Sequence, residues 1–154
     1  MKKSVGIIFA AVLAAGLMAG CNANSSNNNN GLGSNCGGPP AGFQVLYPRP
    51  GAGAIGPNVG GVYVAANPAL PIGNSYNFLA VQSSGGGQGL NTSPFATYSG
   101  PIPNPHNSPA PGSTVYTTAF QAPIGPLQTV NLYWNDGGTG CTPNVIVSSF
   151  STTQ

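Results

Sequence analysis

Glycine and proline divide this chain into short segments, and that pattern limits its fold more than any other feature. The 154 residues include 24 glycines and 16 prolines, clustered between short apolar runs. Glycine weakens the interior of a helix or strand, and proline lacks the backbone N–H that both structures use. Beyond the first twenty residues no segment has helical periodicity. The sequence therefore predicts an all-β protein of short strands joined by turns.

Seven segments rich in β-branched and aromatic residues are predicted to be strands. They are residues 43–47, 62–66, 76–82, 95–98, 114–120, 128–134 and 144–150. Their number and spacing predict an antiparallel sandwich of two sheets. Alternation places Val130, Leu132 and Trp134 on one face of their strand, and we expect that face to lie in the core. The same argument predicts that Val145 and Val147 face the core from the last strand.

The N-terminus has the features of an export signal. Lys2 and Lys3 precede an apolar run at residues 5–18, which ends in small residues. A cationic head, an apolar centre and a small-residue exit are typical of a secretory signal peptide. The run is shorter than the roughly 20 residues that a transmembrane helix needs. We therefore predict a signal peptide at residues 1–20.

The end of this segment resembles the lipobox of bacterial lipoproteins. Residues 17–21 read LMAGC, with methionine where that family usually has leucine. The resemblance implies that Cys21 becomes the first mature residue and carries a lipid such as palmitate, which would anchor the chain to a membrane. The alternative is an ordinary signal peptide cleaved after Ala19 or Ala23.

Residues 21–42 are predicted to form a flexible tether. They are rich in asparagine and glycine and offer almost nothing to bury. A flexible coil of about 20 residues has an end-to-end distance of roughly 25 Å. The segment is either a spacer between the membrane and a folded domain or a disordered leader with no spacing role.

Without the signal peptide the chain is almost free of charge. Arg49 and Asp136 are then the charged side chains, and His106 is the one histidine. There is no basic patch to hold a nucleic acid and no polybasic segment to hold anionic lipid. A single carboxylate side chain excludes glycosidases that use two carboxylates. We expect no nucleic-acid partner and no cofactor.

Residues 45–57, VLYPRPGAGAIGP, and the strand after them resemble the opening of bacterial immunoglobulin-like and fibronectin-type-III-like domains. Such openings contain an apolar strand, a link with proline and glycine, and a second strand. The resemblance implies an immunoglobulin-like sandwich at residues 43–154. The family's tyrosine near the start of the sixth strand has no clear counterpart, because Tyr133 comes late. The resemblance implies no particular ligand.

These two resemblances together imply a disulfide bond between Cys36 and Cys141. If Cys21 carries lipid, these are the two remaining cysteines, and an exported protein meets oxidising conditions. In an immunoglobulin-like sandwich, the entry to the first strand and the loop between the last two strands lie at the same end. The alternatives are a metal site that adds His106 and Asp136 to the two thiols, and a reactive thiol. Neither has a recognised spacing or an activating neighbour.

The candidate catalytic residues are few. His106, Asp136 and a serine could be written as a triad, but the chain contains no Gly-x-Ser-x-Gly motif. Asp136 lies in an Asn-Asp-Gly-Gly segment that suits a turn. The glycine-rich residues 85–89 lack the Lys-Ser/Thr of a phosphate-binding loop and are predicted to be a flexible connection. We therefore expect no enzymatic activity, with a secreted hydrolase as a remote alternative.

Aromatic residues offer a second functional interpretation. Those predicted on strands are Tyr47, Tyr63, Tyr76, Tyr98, Tyr116, Tyr133 and Trp134. About half should point outwards, where aromatic rings beside amide side chains suit sugar rings or a protein interface. The other interpretation is packing without a ligand, and Trp134 is the strongest core candidate.

The sequence therefore predicts a non-enzymatic, lipid-anchored protein that acts in structure or protein interaction at the bacterial cell envelope. In some bacteria an aspartate directly after the lipidated cysteine retains a lipoprotein in the inner membrane. This chain has Asn22 at that position, which favours the outer membrane or cell surface. The alternative is a carbohydrate-binding or adhesion module. The expected partners are the membrane and either another envelope protein or a glycan.

Overall fold

The computed structural model describes residues 35–71, 75–83, 89–103, 108–138 and 140–154. They belong to one unit, Gly31–Gln154, while a second unit, Met1–Asn30, lies outside the described residues. The described residues form nine strands and no helix, so the all-β prediction is confirmed for them. The strands are β1 (Gln44–Tyr47), β2 (Ala52–Ile55), β3 (Gly61–Ala66), β4 (Asn77–Gln82), β5 (Gly89–Asn91), β6 (Ala96–Thr97), β7 (Thr114–Ala119), β8 (Thr129–Asn135) and β9 (Ile146–Thr152).

The strands form two sheets. The first has the order β1-β3-β7-β6, and the second has the order β2-β9-β8-β4-β5. All neighbouring strands run antiparallel except β2 and β9, which run parallel. The prediction of two sheets is confirmed, but the prediction of purely antiparallel pairing is wrong at this one pair.

Strand β2 lies in the segment that the sequence predicted to be a turn-rich link. It pairs along the edge of β9, with Ala52 opposite Phe150 and Ile55 opposite Thr152. The Gly51 N–H donates to Ser149 O at 2.7 Å, and the Thr153 N–H donates to Ile55 O at 2.9 Å. The one glycine and two alanines of β2 carry little strand propensity, so this strand depends on pairing with a partner 98 residues later (Ala52 to Phe150).

Both sheets contribute side chains to one core, which gives a β-sandwich-like arrangement. As predicted, Val130, Leu132 and Trp134 are buried on the inner face of β8. The same core cluster contains Val45, Val62, Val64, Ala66 and Tyr116 from the first sheet and Phe78, Ala80 and Phe150 from the second. Trp134 packs edge-on against Phe43, with ring centroids 4.8 Å apart. Such aromatic pairs stabilise a core beyond the area that they bury.

The prediction for Val145 and Val147 is confirmed only in part: Val147 packs against the core, and Val145 is not among the residues that do. The buried positions of β9 are Ser148, Phe150 and Thr152, while both valines are only half-buried. The register between β8 and β9 shifts at this point, because Leu132 pairs with Ser148 and Tyr133 pairs with Ile146. Such a bulge adds one residue to a strand and changes which side chains face inwards.

Residues 35–42, which the sequence assigned to the tether, contact the connection between β8 and β9. Asn35 forms an isolated parallel bridge with Thr142, and the Cys36 N–H donates to Thr142 O at 3.1 Å. The Phe43 N–H donates to Pro40 O, which forms a turn into β1. The remaining tether residues and the signal peptide lie outside the described residues. Within the described ranges there is no helix of membrane-spanning length and hydropathy.

Candidate functional site

A disulfide bond joins Cys36 to Cys141, as predicted. The two Cα atoms are 4.8 Å apart, within the usual range for a disulfide, and Cys36 is buried. The bond links the segment before β1 to the connection between β8 and β9. The entry of the chain into the first sheet is thereby fixed to the second sheet.

Asp136 lies beside this disulfide and reinforces the same junction. One carboxylate oxygen, Oδ2, accepts the Gly37 N–H at 2.9 Å, and Oδ1 accepts the Gly138 N–H at 2.9 Å. Asn135 Oδ1 similarly accepts the Gly137 N–H at 3.0 Å. The turn role predicted for Asp136 is confirmed, whereas the contact with Gly37 was not predicted from sequence. Local spacing gives no signal for a hydrogen bond across 99 positions.

The side chains of Cys36, Asp136 and Cys141 lie close enough to suggest a metal site. Their potential ligand atoms are all within 4.8 Å of one another. The two sulfurs are bonded to each other, however, and a metal binds the thiolate form of cysteine. The 3.3 Å approach of Asp136 Oδ1 to Cys141 Sγ is likewise a contact and not a thiol hydrogen bond, because the oxidised sulfur carries no proton. We therefore assign this cluster a structural role.

Three sequence-predicted candidates fall outside the described residues. They are the lipidation site Cys21, the histidine His106 and the glycine-rich residues 85–89; the structure describes only Gly89, in β5. The membrane anchor and the hydrolase alternative therefore stay predictions.

The outer face of the first sheet carries a cluster of three tyrosines, Tyr47, Tyr63 and Tyr98, which we call the tyrosine face. Tyr63 points outwards because its neighbours Val62 and Val64 are fully buried on the inner side of β3. The ring centroids of Tyr47 and Tyr63 are 6.3 Å apart, and those of Tyr63 and Tyr98 are 4.9 Å apart. All three side chains are half-buried. Since β7 separates β3 from β6, the contact between Tyr63 and Tyr98 spans β7.

The hydroxyl of Tyr98 has partners on the protein. It donates to Pro101 O at 2.9 Å. Partial desolvation raises the pKa of the Tyr98 phenol above its ordinary value of 10.0, and the charge and hydrogen bonding of Tyr63 raise that pKa further. A raised pKa favours the protonated form, so Tyr98 adds no charge to this face at neutral pH.

A groove of about 410 Å³ runs beside the tyrosine face. Its described lining consists of Tyr47, Asn58, Val59, Gly60, Gly61, Tyr63, Pro103, Thr117, Thr118 and Ala119. Strands β1, β3 and β7 and the segments that follow β2 and β6 supply these residues. Thr118 is buried and its hydroxyl donates to Ser93 O, so the groove combines two aromatic rings with an amide, the Thr117 hydroxyl and backbone groups.

Three of the other aromatic candidates, Tyr116, Tyr76 and Trp134, have packing roles. Tyr116 is buried, and its hydroxyl accepts the Leu70 N–H at 2.9 Å. Tyr76 packs against Trp134 with centroids 5.3 Å apart, and the predicted core position of Trp134 is confirmed. Tyr133 is half-buried and alternates with the buried Leu132 and Trp134, so it lies on the outer face of the second sheet.

Comparisons with known proteins find no match. No protein-family model matches the chain, and no curated protein or solved structure shows significant similarity to it. Arguments about function therefore depend on the residues and geometry described above.

Proposed function

We propose that this chain is a non-enzymatic, lipid-anchored protein of the bacterial cell envelope, whose immunoglobulin-like domain acts by interaction with another molecule. The Cys36–Cys141 disulfide carries the proposal. Disulfides persist in exported proteins and are rare in the bacterial cytosol. The bond also holds the domain at Cys36, 15 positions after the proposed lipidation site Cys21. An attachment to the membrane through Cys21 would thus reach the domain at a covalently fixed point.

The strand order supports an immunoglobulin-like domain. If β1 and β2 are two halves of strand A, the remaining strands are B, C, C′, D, E, F and G in chain order. The first sheet then has the order A-B-E-D, and the second contains G-F-C-C′ with the other half of strand A beside G. Sheets of the immunoglobulin fold group their strands as A, B, E and D against C, F and G.

The outward tyrosine face supports an interaction role. Tyrosine presents a large apolar surface with a polar tip and is enriched at binding surfaces. Tyr47, Tyr63 and Tyr98 contact one another on the outer surface of a sheet, while the core is filled by other aromatic residues. This arrangement favours binding over a purely structural role.

Intact-mass spectrometry of the mature protein tests this proposal. We expect removal of residues 1–20, the added mass of acyl groups, and a deficit of two hydrogens for the disulfide. In Cys21→Ser we expect the acyl mass to disappear and the protein to leave the membrane fraction, while the disulfide remains. Cys36→Ser is the matched control and should keep its acyl groups. An unmodified N-terminus in the wild-type protein would contradict the proposal.

A further inference from the structure

The groove beside the tyrosine face has an uncharged lining. Among the residues that the structure describes, none of those lining this groove is Asp, Glu, Lys or Arg. Arg49 lines an adjoining groove of about 650 Å³, which shares Tyr47 with the first. A charged ligand in the uncharged groove would lose hydration without gaining a counter-ion, and such burial is costly. The lining therefore selects for a neutral ligand.

The rings of the tyrosine face support one another. Tyr47 meets Tyr63 at an interplanar angle of 61°, and Tyr63 meets Tyr98 at 70°. Edge-to-face contacts of this kind are the favoured geometry of aromatic pairs. Because each ring is held by a neighbour, little side-chain freedom remains to be lost when a ligand packs on it.

Uncharged polar groups adjoin these rings. Thr117 lies directly opposite Tyr63 in the pairing of β3 with β7, and Asn58 is exposed at the groove. At Gly60 a Cβ atom would meet no other atom within 4 Å, so space is open above the backbone there. A hydroxyl, an amide and peptide groups are both donors and acceptors of hydrogen bonds.

We infer that this groove binds an uncharged oligosaccharide. A sugar ring has an apolar C–H face that can pack on a tyrosine ring and a rim of hydroxyls that can bond to Thr117 and Asn58. The inference rests on the proposed function, since export would bring the groove to the glycans outside the cell.

The shape of the site favours a saccharide over a protein. A volume of about 410 Å³ is within the range of small-ligand sites. A protein interface of standard size instead buries about 800 Å² on each partner around apolar anchors. The large aliphatic side chains that are most exposed among the described residues, Leu127 and Ile146, lie outside the groove.

Saturation-transfer NMR with the full-length mature protein in detergent micelles tests the inference. The probes are neutral trisaccharides of glucose, mannose and N-acetylglucosamine, with a uronic-acid trisaccharide for comparison. We expect at least one neutral probe to bind and the acidic probe to bind less tightly. Calorimetry should then show that Tyr63→Ala weakens binding about tenfold, through loss of the stacked ring.

Tyr133→Ala is the matched control, because it removes a half-buried tyrosine from the outer face of the other sheet. We expect it to leave binding unchanged. Gly60→Leu provides a second variant: it removes no side chain and adds one at a residue that lines the groove, so we expect it to block binding. Far-ultraviolet circular dichroism checks that each variant keeps its strands.

Three results would overturn the inference. In the first, no neutral probe binds. In the second, the Tyr63, Gly60 and Tyr133 variants bind equally well, and in the third the acidic probe binds more tightly than the neutral ones. A photo-crosslinker placed at Tyr98 in cells that captures a protein instead of a glycan would also overturn it. The acyl mass of the same preparation is measured separately, so failure of sugar binding by a lipidated chain leaves the proposed anchor intact.

Discussion

Two buried hydroxyl groups on β9 differ in their hydrogen bonding. Thr152 Oγ1 accepts the Gln128 N–H at 2.9 Å and donates to Gly125 O at 2.8 Å. Ser148 lies four positions earlier on the same inner face. It is 4% exposed, and its Oγ has no hydrogen-bond partner among the described residues. A buried hydroxyl without a partner loses its hydration and gains nothing in return.

We therefore expect Ser148→Ala to raise the free energy of unfolding by about 1 kcal/mol. Thr152→Val is the matched control: it should lower that free energy by about 1–2 kcal/mol, because the Gln128 N–H and Gly125 O lose a partner. Urea denaturation of the full mature chain measures both changes. A loss of stability in Ser148→Ala would show that its hydroxyl has a partner in solution.

The residues of β9 show why some inner positions were not predicted from sequence. A serine at a core position gives no hydrophobic signal, and Val145 and Val147 give a stronger one just before it. The bulge opposite Leu132 and Tyr133 then interrupts the alternation between the exposed Ile146 and the buried Ser148. For β8, which has no such irregularity within Val130–Trp134, alternation predicted all three inner residues.

Among the elements, β3 and β7 approach each other closely where β3 begins. Gly61 pairs with Ala119, and a Cβ atom on Gly61 would collide with the Thr118 carbonyl oxygen. Glycine is required here by the close approach of the two backbones and not by an unusual φ. Gly61, Thr118 and Ala119 also line the groove beside the tyrosine face.

We expect Gly61→Ala to lower the free energy of unfolding by about 1–3 kcal/mol, because the strands must separate to admit the methyl group. Gly60→Ala adds the same methyl group one residue earlier, where there is open space, and should change that free energy by less than about 0.5 kcal/mol. Denaturation curves compare the two. Equal effects would mean that β3 can shift away from β7 without cost.

The strands that sequence predicted and those that it missed differ in what stabilises them. The seven predicted segments carry valine, isoleucine, threonine or aromatic side chains, and each overlaps one of the observed strands. Strands β2 and β5 instead contain glycine and few β-branched residues, and they lie at the two edges of the second sheet. Their existence depends on pairing with β9 and β4, which local sequence cannot reveal.

On the scale of the molecule, the disulfide closes a covalent loop that includes most of the described residues. Its cysteines are 105 positions apart. Closing a loop of about 100 residues lowers the entropy of the unfolded chain by an amount equivalent to about 4.7 kcal/mol in the chain-entropy model. Small domains are stable by only about 5–15 kcal/mol, so this bond contributes much of the stability.

We expect a reducing agent to lower the free energy of unfolding by about 2–5 kcal/mol. The double variant Cys36→Ser, Cys141→Ser should show the same loss and should no longer respond to the reducing agent. Denaturation with and without the agent measures both effects. A wild-type protein of unchanged stability after verified loss of the disulfide would contradict this role.

The candidate binding face could be predicted from sequence only in part. Tyr47, Tyr63 and Tyr98 were among seven aromatic candidates, but their contact depends on the irregular pairing of β1 with β3 and on the reach of Tyr98 across β7. Both are properties of the assembled sheet. The disulfide was easier to predict, because few cysteines were available and the two resemblances together implied one pairing.

The Cys36–Cys141 bond also determines what a protease could release from this molecule. Every strand from β1 to β8 lies between the two cysteines. A single backbone cut anywhere in that interval leaves both fragments joined through sulfur. A nicked molecule would therefore keep the tyrosine face connected to the segment before Cys36. Release of the domain would need either a cut before Cys36 or both a protease and a thiol that reduces the disulfide.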